Sequence, residues 1–197
     1  MRIMNPETDV ALFDMDGTMC DYEGDLRSSL DKLRAPNEPI VDYLHDQEPE
    51  YIRARMKLIK SSVEWWANMS RFELGFDIWK MVTSLGMRKM ILTQGPMTNP
   101  NAWAGKKIWI ERNLGIDVDV TITRDKGLVY GKLLVDDWPE YAERWLKWRP
   151  RGLVVMPAAR HNQDFKHPQV VRYDGDNYKE VLMRIQERMS NFDIKAD

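Results

Sequence analysis

Apolar residues in this chain follow two rhythms, and their alternation predicts the architecture. Short unbroken apolar runs, fit for strands buried on both faces, lie within residues 8–14, Arg88–Thr93, Lys132–Val135, Leu153–Met156 and Val170–Tyr173. Val118–Thr123 reads as a further strand by alternation. Between these runs, apolar positions recur at three- and four-residue spacing, as on one face of a helix. Glu73–Leu85 carries Phe76, Trp79, Met81, Val82 and Leu85 and stops at Gly86. Trp103–Leu114 is closed by Gly115, and Pro139–Trp148 and Gly175–Met189 follow. Strands alternating with helices predict an α/β protein, a Rossmann-like parallel sheet with helices on both faces.

Residues 21–71 depart from this alternation. Leu26, Leu30 and Leu33 share one helical face, and Ala35-Pro36-Asn37-Glu38-Pro39 breaks that helix. Ile40–His45 reads as a short helix and Glu48-Pro49-Glu50 as another breaker. Tyr51–Met69 reads as one or two helices holding Ile52, Met56, Ile59, Val63, Trp66 and Met69. The expected division is an α/β core of residues 1–20 and 72–197, with a small helical cap, residues 21–71, inserted after the first strand.

Composition narrows the function classes. The 197 residues suffice for one sizeable domain with a small insertion. Twenty-nine basic residues against 31 acidic ones leave a net charge of −2, which argues against a stable nucleic-acid complex. A small phosphorylated ligand stays compatible with that balance. One cysteine, Cys20, excludes an intrachain disulfide and points to a reducing compartment. The N-terminal stretch MRIMNPETD has no apolar signal core, and no run is long enough to span a bilayer. The expectation is a cytoplasmic protein with no membrane partner; a homodimer stays open. Eight Trp and 13 Met are many for this length, and core filling explains most of them.

The candidate chemistry sits where apolar strands stop. Val10-Ala11-Leu12-Phe13 ends in Asp14, Asp16 and Gly17. Open α/β sheets place ligands at the C-terminal ends of their strands. Two acids this close repel unless a cation lies between them or one keeps a proton. Gly17 allows the turn that lets both converge. The spacing D-x-D-G-T resembles motif I of the haloacid dehalogenase-like (HAD) phosphatases. That resemblance implies Asp14 as the nucleophile that attacks phosphorus and Asp16 as the general acid/base. It also implies the phosphatase or phosphomutase form, because dehalogenases lack the second acid and transporting ATPases carry Thr there.

Three further strand ends fall into line. Asp136 and Asp137 follow Leu133-Leu134-Val135. A hard cation such as Mg²⁺ takes oxygen ligands and keeps several waters. Asp14, the backbone carbonyl of Asp16, and Asp136 can supply the inner ligands, and Asp137 can hold a coordinated water. No Cys/His cluster offers a zinc site, since Cys20 stands alone and His45, His161 and His167 lack ligand spacing. Thr93 offers a hydroxyl, and the Gln94-Gly95 amides can donate to phosphate oxygens from the turn. Lys126 can neutralise the phosphate and keep Asp14 ionised. Taken singly, each position has a plainer reading: an acidic turn, a strand-end Thr, a solvated lysine, an acidic helix start.

Taken in order, D-x-D-G-T, Thr, Lys and Asp-Asp match the four HAD motifs across residues 14–137. Within that superfamily the chain resembles the 5′(3′)-deoxyribonucleotidases over nearly its whole length. The resemblance rests on Asp21-Tyr22-Glu23-Gly24, Trp109 inside Gly105–Glu111, Thr123-Arg124-Asp125-Lys126, Leu133–Asp137 and His161-Asn162. It implies Lys126, rather than Lys132, as the motif III lysine. The chain departs from the pattern at Gln94, where a small hydroxyl residue often stands, and in loop 94–105 and most of 25–70. Three aromatic residues are candidates to stack on a base: Tyr22, close after the acid pair, and Trp65 or Trp66. Adjacent helical residues point about 100° apart, so one Trp should be core and the other partly exposed.

These expectations converge on a Mg²⁺-dependent phosphomonoesterase that dephosphorylates a (deoxy)nucleoside monophosphate through an aspartyl-phosphate. The alternatives are a HAD phosphatase for another small phosphomonoester or a nucleic-acid 3′-phosphate, and a non-catalytic nucleotide-binding protein.

Overall fold

The computed structural model describes residues 4–44 and 48–191. Six strands form one sheet: β1 (Val10–Phe13), β2 (Arg88–Thr93), β3 (Asp119–Ile122), β4 (Leu133–Val135), β5 (Leu153–Pro157) and β6 (Val170–Tyr173). Their order across the sheet is β3-β2-β1-β4-β5-β6, and every neighbouring pair is parallel. Among the described residues, seven α-helices accompany them: α1 (Tyr22–Lys32), α2 (Glu50–Lys60), α3 (Val63–Ala67), α4 (Glu73–Ser84), α5 (Pro100–Leu114), α6 (Pro139–Lys147) and α7 (Tyr178–Asn191). The α/β class, the parallel sheet and the helices inserted after the first strand agree with the sequence pattern. No helix among the described residues is long and apolar enough to cross a membrane.

The chain divides into two compact units. The first comprises Met1–Cys20, Arg71–Gln94 and Val118–Asp197 and contains the whole sheet with α4, α6 and α7. Side chains leave the strands alternately. Val10 and Leu12 join Leu92, Leu134, Val154 and Met156 on one face, packed against Ala142, Trp145 and Leu146 of α6. Phe13 points to the other face and meets Trp79 of α4 edge-on, centroids 4.8 Å apart. Each large apolar side chain so buried contributes about 1.5–3 kcal/mol. At the N-terminal ends of β1 and β4, Lys132 Nζ lies 2.7 Å from Asp9 Oδ1, both buried. Gly75, in the first turn of α4, lies directly on the backbone of Thr18, where any Cβ would collide with the Thr18 carbonyl.

The second unit comprises Asp21–Ser70 and Gly95–Asp117 and contains α1, α2, α3 and α5. Its core is Leu26, Leu30 and Ile52, with Tyr22, Met56, Ile59 and Trp65 packed around them. Residues 95–117, expected within the α/β core of 72–197, pack with these helices. Gly105 explains the close approach, since a Cβ there would collide with Trp66 and the Val63 carbonyl. Trp109 Nε1 also donates to the Met69 carbonyl at 2.7 Å.

Residues 40–44 are not helical, contrary to the pattern; His45 lies outside the described residues. A segment so short is helical only where packing supports it, as the close approach to α5 supports Val63–Ala67. The chain there is held by other means: Arg27 Nε donates to the Val41 carbonyl at 3.3 Å.

Candidate active site

The order of the strands determines where a ligand meets this sheet. After β1 the chain builds β2 and β3 on one side, then returns to place β4 on the other side of β1. The reversal leaves a crevice at the C-terminal ends of β1 and β4, the usual ligand position in open α/β folds. Asp14 follows β1 directly, and Asp136 and Asp137 follow β4. The Asp14 amide donates to the Val135 carbonyl at 2.8 Å, which fixes the two strand ends side by side.

Lys126 joins them. It opens a 3-10 turn, Lys126–Leu128, in which Asp125 Oδ1 accepts from the Gly127 amide at 3.0 Å. Lys126 Nζ lies 2.7 Å from Asp14 Oδ1 and 2.7 Å from Asp136 Oδ2. The other Asp136 oxygen accepts from the Trp138 amide at 3.0 Å. Burial alone would push the Lys126 pKa down. Asp136 and Asp14 outweigh that, so the ammonium is held above the ordinary lysine range. Burial pushes the Asp136 carboxyl up to about 7; Lys126 opposes the rise, and Asp14 and Asp137 add to it. Lys132, the other lysine of this region, is paired with Asp9 at the opposite ends of the strands.

Asp137 is oriented from three directions. The Thr18 hydroxyl donates to Asp137 Oδ1 at 3.0 Å and accepts from the Asp137 amide at 3.2 Å. His161 Nε2 lies 2.9 Å from Asp137 Oδ2, and Trp138 packs on the imidazole with centroids 4.6 Å apart. Asn162, fully buried, donates from Nδ2 to the carbonyls of Asp137 and Pro157, both at 2.9 Å. Its Oδ1 accepts from the Ala159 amide at 3.0 Å and Arg172 Nε at 3.1 Å. Gly17 has φ +76°, and a Cβ there would overlap the Asp137 carboxylate. Glycine is therefore required twice over, for the turn and for the approach.

Asp14, Asp136 and Asp137 each offer one oxygen, all within 4.8 Å of one another. Three buried carboxyl groups thus meet beside one ammonium. An all-oxygen, electron-rich, buried set fits a hard divalent cation such as Mg²⁺.

The remaining expected residues are distributed as follows. Asp16 is half-buried in the turn whose Met15 carbonyl accepts the amides of Met19 and Cys20 at 2.8 and 2.9 Å. Thr93 is buried at the end of β2, and its carbonyl accepts from the Thr123 amide at 3.0 Å. The Gln94 side-chain oxygen accepts a hydrogen bond from the Tyr141 hydroxyl. The Tyr141 ring lies against Lys126, whose Nζ is 4.6 Å from the ring centroid. Tyr22, Trp65 and Trp66 belong to the helical unit, where they form one aromatic cluster. Tyr22 stacks on Trp66 at 5.8 Å and meets Trp65 edge-on at 5.8 Å. Trp66 is buried, with Nε1 donating to the Lys60 carbonyl, and Trp65 is half-buried, with Nε1 donating to Ser29 Oγ.

The sequence pattern does not single out Thr18, Tyr141 or Asn162 for any role. Thr18 had a signal, being the last letter of D-x-D-G-T. Tyr141 had a weaker one: it lies in the first turn of the helix that starts just after the Asp136-Asp137 pair. His161-Asn162 carries part of the family resemblance without indicating what either residue holds.

Residues 8–182 match the protein family described as "5' nucleotidase, deoxy (Pyrimidine), cytosolic type C protein". A Bordetella pertussis (strain Tohama I) protein, named as a candidate 5′(3′)-deoxyribonucleotidase, is 28% identical over 180 residues, covering 87% of this chain and 94% of its own. The human mitochondrial 5′(3′)-deoxyribonucleotidase is 30% identical over 168 residues, covering 77% and 71%. Among solved structures, a candidate haloacid dehalogenase-like hydrolase from Burkholderia xenovorans LB400 aligns with a TM-score of 0.52 at 17% identity. That alignment covers 92% of this chain and 99% of the other, a likeness of fold.

Proposed function

Because the chain belongs to the family of 5′ nucleotidase, deoxy (pyrimidine), cytosolic type C proteins, and so to the HAD-like hydrolases, we propose that it is a Mg²⁺-dependent phosphomonoesterase acting on a (deoxy)nucleoside monophosphate. The observation that carries this reading is the junction of β1 and β4. Asp14 and Asp136 share Lys126 there at 2.7 Å, with Asp137 held beside them. The names of the relatives support a deoxynucleotide as the substrate.

The reaction runs in two displacements. An Asp14 carboxylate oxygen attacks phosphorus, and the bond from phosphorus to the ester oxygen breaks. Asp16 gives its proton to that leaving oxygen, so the nucleoside departs neutral. Asp16, now ionised, takes a proton from water, and the hydroxide so formed attacks the phosphorus of the aspartyl-phosphate. The bond to Asp14 breaks, and inorganic phosphate is released. Lys126 offsets negative charge on Asp14 and on the transferred group throughout. The Thr93 hydroxyl and the turn at Gln94 hold phosphate oxygens. Asp14, the Asp16 carbonyl and Asp136 would hold Mg²⁺, with Asp137 on a coordinated water, and the bound ion would supply electrostatic stabilisation of the phosphoryl oxygens. Tyr22 with Trp65 or Trp66 provides the stacking surface for the base. The reading includes a cytoplasmic location, in keeping with the single cysteine.

A phosphate-release screen tests this directly, over deoxynucleotides, ribonucleotides, sugar phosphates and 3′-phosphorylated oligonucleotides. Nucleoside monophosphates should be turned over best, EDTA should abolish turnover and Mg²⁺ restore it. Asp14→Asn should keep the fold and lose nearly all activity. Retention of activity within about tenfold, a barrier change of only about 1.4 kcal/mol, would remove Asp14 from its role. Preference for a sugar phosphate or a 3′-phosphorylated oligonucleotide would replace the nucleotide reading.

A further inference from the structure

We infer that Tyr141 is a positioning residue for the phosphate subsite, holding the Gln94 side chain with its hydroxyl and walling Lys126 with its ring. Three connections of the sheet unit meet at this one side chain. Gln94 begins the segment after β2, Lys126 opens the turn between β3 and β4, and Tyr141 stands in the first turn of α6, after β4. The Tyr141 hydroxyl donates to Gln94 Oε1, and Lys126 Nζ lies 4.6 Å from the ring centroid, within the range of a cation–π contact. The same Nζ is the one that reaches Asp14 and Asp136.

The need for such a residue follows from position 94. A short hydroxyl side chain there would be fixed by the backbone that carries it. Gln94 has three rotatable bonds and a reach several ångströms longer, so its side-chain amide, a further phosphate donor beside the backbone amides of the turn, has a defined place only if another group holds it. Tyr141 does this from a rigid helix start, beside the lysine that would bind the same phosphate. The ring also occupies one side of Lys126 with carbon instead of water, which strengthens the ammonium's pull on an anion. The inference rests on Thr93, Gln94 and Lys126 forming the phosphate site.

Inorganic phosphate is the probe, titrated calorimetrically in the presence of Mg²⁺ into the full chain. Tyr141→Phe keeps the ring over Lys126 and removes the hydroxyl's hydrogen bond to Gln94. It should weaken phosphate binding about fivefold, or about 1 kcal/mol, the size of one hydrogen bond. Gln94→Ala should weaken it similarly, and the double variant should be no worse than either single one. Tyr141→Leu, which also strips the ring from Lys126, should lose more. In turnover, Tyr141→Phe should raise KM and leave kcat within about twofold, since the reacting atoms are untouched. The melting temperature should not move with the phosphate affinity.

If wild type binds phosphate and Tyr141→Phe binds it equally well, the inference is wrong while the phosphate site stands. Single effects that multiply in the double variant would likewise overturn it, since the two residues would then act independently. If wild type binds no phosphate, the inference and the site beneath it fall together.

Discussion

At Asp136 a carboxyl is removed from water altogether, so its charge depends on its neighbours. Burial raises its pKa from 3.8 to about 7 even with Lys126 in contact. Between those values the folded, metal-free chain holds a proton at Asp136 that the unfolded chain has lost. The stability that this proton contributes is complete below 3.8 and disappears as pH rises through about 7. The chelated protein should therefore melt at lower temperature as pH rises across that interval. Asp136→Asn, which has no proton to lose, should flatten the profile. Mg²⁺ prefers the ionised form, so its stabilising effect should be greatest above about pH 7 and shrink in acid. Melting curves of wild type and Asp136→Asn over this range check both statements, and identical chelated profiles would refute the first.

The elements around the site are held together by approaches that tolerate no extra atom. The first turn of α4 sets Gly75 against the Thr18 carbonyl, and Thr18 is the residue that grips both the amide and the carboxylate of Asp137. A methyl group at position 75 must push the helix off the turn. Gly75→Ala should destabilise the fold by about 1–3 kcal/mol, although alanine is the better helix former by about 1 kcal/mol. Urea denaturation measures this. A stabilised variant would mean that the turn moves freely, and Thr18 could not then be what sets the position of Asp137. The 3-10 turn Arg160–Asn162 plays a comparable part from β5. Asn162→Ala removes the donor to two buried carbonyls, of Asp137 and Pro157, and the acceptor of two part-buried donors, on Ala159 and Arg172, and leaving buried groups unpaired costs about 1–3 kcal/mol.

On the scale of the whole molecule, the candidate residues fall in two different units. The carboxylates and Lys126 lie in the sheet unit, and the aromatic cluster of Tyr22, Trp65 and Trp66 lies in the helical unit. If the helical unit selects the substrate, Tyr22→Ala should raise KM for a nucleotide far more than for a small aryl phosphate, which has no nucleobase. The difference should match one stacking contact, about 1–3 kcal/mol. Metal dependence should be unchanged, because no carboxylate is altered. Equal losses on both substrates would assign Tyr22 to the core of its own unit, where it already packs on both tryptophans.

The amino-acid sequence by itself determined the parallel sheet and the acids at its strand ends. Both follow from short-range pattern: a run such as Leu133-Leu134-Val135 reads as a buried strand, and the acid that follows it marks the strand's end. It also required one of Trp65 and Trp66 to be core and the other partly exposed, because adjacent helical residues cannot share a face; the fold makes Trp66 the buried one. What periodicity could not say is which surface a buried face meets. The stripe on α5 reads the same whether it packs on the sheet or on α3, and only the close approach at Gly105 decides. Nor could it pair polar groups. Thr18 and Asp137 lie 119 residues apart, and Gln94 and Tyr141 lie 47 apart. A hydrogen bond depends on direction and on a few tenths of an ångström, and those exist only once the strands have brought distant loops to one edge. The chain carries the reactive groups in its order; the tertiary structure decides what holds each of them in place.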